Sequence, residues 1–106
     1  MATDPQLGVV AQERDPQTML VTVNGEVDAS SSAALRDGIK GALTGGYKKV
    51  VLDLTGVSFM DSAGLRVLID TQALGENSGS SVKIEAASDS VSRLLEMTAL
   101  TDRFMA

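Results

Sequence analysis

The 106-residue chain has neither cysteine nor histidine, and its fourteen acidic against nine basic side chains leave a formal charge of −5. Disulfides, thiolate zinc sites, a Ser-His-Asp triad and a cysteine nucleophile are excluded by composition alone. The acidic balance argues against phosphate-backbone binding, and one tyrosine with two phenylalanines is too little for base stacking.

That length gives one domain, large enough for a core that needs no staples. Residues 1–6 (Met-Ala-Thr-Asp-Pro-Gln) are small and polar and read as a mobile tail. They hold neither a basic segment nor an apolar stretch, so they do not make a signal peptide. No apolar run approaches the ~20 residues that span a bilayer. A soluble, cytoplasmic protein without membrane insertion is expected.

From Leu7 the run Leu-Gly-Val-Val-Ala predicts a first strand ending near Glu13-Arg14, followed by a turn at Asp15-Pro16. Thr18 to Val23 is rich in β-branched residues and predicts a second strand, antiparallel to the first. Asn24-Gly25 looks like a hairpin turn, but no strand follows it. Instead Glu26-Val27-Asp28-Ala29 leads into Ser30-Ser31-Ser32, which is N-cap chemistry. Leu35, Ile39, Ala42 and Leu43 then form one apolar helix face, with Arg36, Asp37 and Lys40 opposite, and Gly45-Gly46 stops the helix.

Val50 to Leu54 is a continuous apolar run, the mark of a strand covered on both faces. Thr55-Gly56 predicts a turn, and a short link carrying Val57 and Phe59 leads to a second helix over about Ser62 to Glu76. Leu65, Leu68, Ile69 and Ala73 are its expected inward residues, and Arg66 and Asp70 its exposed pair. After the loop Asn77-Ser78-Gly79-Ser80, Val82 to Ala86 alternates and predicts a strand with one side in water. A last helix begins near Ser88-Asp89-Ser90 with Val91, Leu94 and Leu95 inward, and Leu100 and Phe104 of the tail are expected to dock on the body. The order β-β-α-β-α-β-α predicts an α/β fold, a small mixed sheet of about four strands with helices packed against it by right-handed crossovers.

Asp28, Asp53 and Asp61 each fall at the predicted C-terminal end of a strand, where open α/β sheets bind ligands. A magnesium site of the receiver-domain kind would need an acidic pair directly after the first strand and a lysine late in the chain. Neither stands here, so no metal and no cofactor are expected. There is no Gly-rich phosphate loop. Ser62 lacks a base apart from the adjacent, badly placed Asp61, so the chain reads as a binding protein and not an enzyme. Ser62 itself has two compatible readings: a helix cap worth ~1 kcal/mol, which spacing alone favours, or an exposed hydroxyl that a kinase can reach.

Phe59-Met60-Asp61-Ser62-Ala63-Gly64-Leu65 resembles the D-S-[ST]-G-L signature of STAS-domain anti-sigma factor antagonists. Gly25-Glu26-Val27-Asp28 is similar to that family's Gly-Glu-Leu-Asp. Val50–Leu54, Val91–Leu95 and Leu100–Phe104 match its central strand and closing region, so the resemblance covers roughly residues 7 to 104. Two departures stand out. Ala63 replaces the second hydroxyl residue, and the sequence stops soon after Phe104, where many members continue with a short strand.

The resemblance implies that Ser62 is the phosphorylated residue. It implies as partners an anti-sigma factor that is itself an ATP-dependent serine kinase, and a PP2C-type phosphatase that reverses the modification. The unmodified antagonist would bind the kinase and free the sigma factor. Asp28, Asp61, Ser62, Ala63, Gly64 and Arg66 are the expected contact residues. The second reading is a non-phosphorylated STAS subunit of a larger assembly, such as a lipid-transport complex or a stress-signalling scaffold.

Overall fold

The apolar runs of the chain become strands and helices in the order β1 (Leu7–Asp15), β2 (Thr18–Val27), α1 (Ser32–Thr44), β3 (Lys49–Met60), α2 (Ser62–Asn77), β4 (Ser81–Ala87), α3 (Asp89–Met97) and α4 (Thr101–Met105). This is a computed structural model, and it describes residues 7–105. The tail expected over residues 1–6 lies outside the described residues.

The fold is mixed α/β. Its sheet has four strands in the order β1-β2-β3-β4, with β1 antiparallel to β2 and the remaining pairs parallel. Both crossovers, through α1 and through α2, step one strand in the same direction. Right-handed connections therefore lay the two helices on one face. There α1 packs over β1 and β2 and α2 over β3 and β4, while α3 rests on β3 and α4 on β4.

The inward side chains of α1 and β4 follow the predicted periods. Leu35, Ile39, Ala42 and Leu43 of α1 are buried, as are Val50, Leu52 and Leu54 of β3 and Val82 and Ile84 of β4. Phe104, fully buried, docks the end of the chain. The opposite sheet face is half-exposed at Leu20, Thr22, Val51 and Asp53, so β3 is fully covered on one face and not on the two that its continuous apolar run predicts, and Arg14 of β1 reaches across that open face to Glu85 of β4 at 2.6 Å. No helix among the described residues is long and apolar enough to cross a membrane.

Besides that open face of β3, four details differ from expectation. β2 runs to Val27 and not Val23, and β3 continues through Thr55-Gly56 to Met60. The two extensions pair with each other, so the ladder satisfies backbone groups that a turn would have left to water. That pairing is broken by two register shifts, each of which places one extra residue in β3. In α2, Ala73 is exposed, while Thr71 and Gln72 are buried with their polar groups bonded. The Thr71 hydroxyl donates to the Val67 carbonyl at 2.7 Å, and the Gln72 amide donates to the carbonyls of Val82 and Arg103. Finally, the tail after α3 forms the short helix α4, which Gln72 and Lys83 hold through the Arg103 carbonyl.

Candidate functional site

β2 and β3 run parallel and end side by side, with Val27 opposite Met60 and the Asp61 amide donating to the Val27 carbonyl at 3.1 Å. Each strand then leads into a helix, β2 through the four residues 28–31 and β3 through Asp61 alone. Two strand-to-helix junctions therefore meet at one edge of the molecule, the C-terminal edge of the parallel strands, where ligands of such sheets gather.

The junction after β2 is closed on itself. Asp28 Oδ1 accepts from the Ser30 amide at 2.9 Å and from the Ser30 hydroxyl at 2.6 Å. These bonds, the hydroxyl first, hold the Asp28 carboxyl below the usual range by favouring its charged form. Ser31 occupies the N-cap of α1, yet its side chain makes no cap bond. Its buried hydroxyl donates to the Glu26 carbonyl at 2.8 Å and accepts from the Asp28 amide at 3.0 Å. The serines expected to cap this helix thus tie the loop together instead.

The junction after β3 is built differently. Asp61, in extended backbone, is the N-cap of α2, and its Oδ1 accepts from the Ala63 amide at 2.9 Å. The cap role read for Ser62 therefore belongs to Asp61. Ser62 is the first residue of the helix and is exposed. Among the described residues its hydroxyl has no hydrogen bond. Its backbone φ and ψ are already helical, so its side chain cannot fold back over the first turn as an N-cap side chain does.

Gly64 is buried where α2 descends onto the sheet. A Cβ there would lie 2.6 Å from Val27 Cγ1 and 2.7 Å from Met60 Cγ, so only a glycine lets the helix start this close to both strand ends. Ala63 is half-buried, its amide spent on Asp61. Arg66 is exposed, with its Nε 3.4 Å from Asp70 Oδ2 one turn further on. The junctions therefore bring together Asp28, Asp61, Ser62, Ala63 and Gly64, and α2 carries Arg66 one turn away on its outer side.

Asp53 does not join them. Because β3 continues to Met60, Asp53 sits in mid-strand, its Oδ1 accepting from the Thr55 amide and hydroxyl at 3.1 and 2.6 Å. The hydroxyl bond is the main cause of its lowered carboxyl pKa. No group of three or more acidic residues among the described residues is clustered to hold a metal ion. The feature that sequence reasoning missed is Phe59. A bulge at Ser58 turns the ring outward, and the spacing of Val57 and Met60, three apart in a strand of period two, was the available sign.

The family model described as Mlab, STAS domain matches residues 10–105 of the chain. An anti-sigma-B factor antagonist of Bacillus subtilis is 34% identical over 82 residues, which is 77% of this chain and 74% of that protein. The crystal structure of an anti-sigma factor antagonist from Mycobacterium paratuberculosis superposes with a TM-score of 0.80 at 25% identity, covering 98% of this chain and 87% of that one. The anti-sigma factor antagonist SpoIIAA in its unphosphorylated form superposes with a TM-score of 0.78 over 92% of this chain and 86% of its own; at 18% identity this is a likeness of fold.

Proposed function

The chain belongs to the STAS domain family, and from that premise we propose that it is an anti-sigma factor antagonist switched by phosphorylation of Ser62. Unmodified, it binds an anti-sigma factor that is a serine kinase and so frees the sigma factor. Phosphorylated, it lets go until a PP2C-type phosphatase removes the group. The observation that carries the reading is the division of labour at the start of α2: Asp61 takes the cap, and Ser62 leaves its hydroxyl in solvent at the edge where both junctions meet.

A phosphate on Ser62 adds about −1.5 to −2 charge at neutral pH. At a helix N-terminus the free amides and the dipole favour an anion by about 0.3–1 kcal/mol, so the fold tolerates the modification. In a docked interface the sign reverses. The phosphate must lose water beside the Asp61 carboxylate, and without a compensating partner that costs about 2–5 kcal/mol. The equivalent loss of affinity is about 30-fold to several thousand-fold. Binding changes while structure does not.

Titration of the unmodified chain, the Ser62→Asp variant and the Ser62→Ala variant into the purified serine-kinase anti-sigma factors of the source organism tests this. Wild type and Ser62→Ala are expected to bind alike, and Ser62→Asp at least about tenfold more weakly. An Asp variant that binds as tightly as wild type contradicts the switch. The second reading, an unphosphorylated subunit of a larger assembly, predicts a high-mass complex on size exclusion that ignores ATP.

A further inference from the structure

We infer that Phe59 is the apolar anchor of the docking face, a phenyl ring that seats in a pocket on the anti-sigma partner while Ser62 is offered to its nucleotide site. This rests on the reading of Ser62 given above. Of the chain's aromatic residues, Phe104 is fully buried and Tyr47 is tied to Glu13 by a 2.6 Å hydrogen bond. Phe59 is 47% exposed.

The backbone of β3 explains that exposure. Val57 pairs with Gly25 and Phe59 with Glu26, so Ser58 is an extra residue without a partner in the ladder. Gly25, at φ +116°, supplies the conformation β2 needs beside this bulge. Simple alternation after the buried Val57 would send Phe59 into the core and Met60 to solvent. The bulge reverses this: Met60 is 6% exposed, and the larger ring points out. Two hydrogen bonds hold the bulge. The Ser58 hydroxyl donates to the Gly25 carbonyl at 3.4 Å, and the Ser90 hydroxyl of α3 donates to the Ser58 carbonyl at 3.1 Å. Bulges re-aim side chains beside functional sites, and turning a phenyl ring to water gives folding nothing.

Position and charge identify the occupant. Phe59 is three residues from Ser62, so the two lie within roughly 11 Å of each other. A protein partner that engages Ser62 has the ring within reach of the same face. Glu26, the register partner of Phe59, is exposed on the neighbouring strand. The complementary surface is therefore an apolar pocket with a Lys or Arg on the side that meets Glu26. An aromatic anchor beside a polar rim is how protein interfaces concentrate their binding energy.

The test is calorimetric titration into each purified serine-kinase anti-sigma factor of the source organism loaded with ADP, which cannot modify Ser62. Phe59→Ala and Phe59→Gln are each expected to weaken binding about 30-fold or more, and Phe59→Leu about tenfold or less. Met97→Ala removes the most exposed large apolar side chain among the described residues, at 76%, and is expected to stay within about twofold of wild type. Melting curves of the Phe59 variants are expected to overlay that of wild type, and either polar or small variant suffices if the other melts early. If wild type binds and both variants bind within about threefold of it, the anchor is overturned and the Ser62 reading stands. If wild type binds none of the anti-sigma factors, both fall together.

Discussion

At the end of β2 an aspartate and two serines are bonded to one another; at the end of β3 an aspartate caps the helix and the serine after it is left in water. The residue types are the same and the outcomes differ. In the first junction Ser31 is buried and bridges two backbone groups, so its hydroxyl belongs to the fold. In the second, the carboxylate one residue earlier does the capping, and the Ser62 hydroxyl is released from structural duty. A hydroxyl can serve as a reversible switch only where folding does not depend on it. The contrast between these two junctions therefore does more for the functional reading than the presence of a serine.

The contrast is open to direct attack through stability. Gly64→Ala should have the largest effect, destabilising by about 3 kcal/mol in urea unfolding, because the added methyl meets the rigid Val27 side chain and Met60. A midpoint unchanged from wild type would mean that α2 can lift away without cost. Ser31→Ala should follow at about 2 kcal/mol, since it strands the Asp28 amide in a part-buried loop. An effect as small as that of a surface serine would erase the distinction between the junctions.

Within the second junction, Asp61→Ala should cost about 1 kcal/mol, the usual worth of a helix cap. Ser62→Ala should stay within about 0.5 kcal/mol of wild type. Finding these two effects exchanged would return the cap to Ser62. The smallest effect concerns acid. Bonds from Ser30 depress the folded-state pKa of Asp28, so its contribution is fully present above the unfolded value of about 4 and fades as pH falls through the folded one. Wild type minus Asp28→Asn should therefore be a stability difference that is flat at neutral pH and shrinks in acid. A difference that grows on acidification would show that the Asp28–Ser30 bonds do not favour the charged form.

Much of this was legible in the sequence because burial imposes period. Leu35, Ile39, Ala42 and Leu43 on α1, and Val82 and Ile84 on β4, are inward as spacing required. The order of strands and helices likewise followed from alternation. What was not legible depended on partners distant in sequence. Gly56 looks like the end of a strand, yet β3 continues because β2 is there to pair with it. Spacing puts Ala73 inward and says nothing of Gln72, whose amide is buried because Val82 and Arg103 offer it carbonyls. At the site, the motif points to Asp61, Ser62 and Gly64 together, but which of the first two caps the helix depends on a one-residue difference in where helical φ and ψ begin. Boundaries that fine are not written in residue type. The outward turn of Phe59 was hidden for a related reason, since a bulge of one residue inverts every side chain after it.

The most direct measurement is a phosphosite map of the intact chain after incubation with the serine-kinase anti-sigma factors of the source organism and ATP. It should show a single phosphate on Ser62, with Ser30, Ser31 and Ser32 unmodified although they lie at the neighbouring junction. Phosphate on those serines with Ser62 left bare, or no phosphate from any of the kinases, would contradict the account.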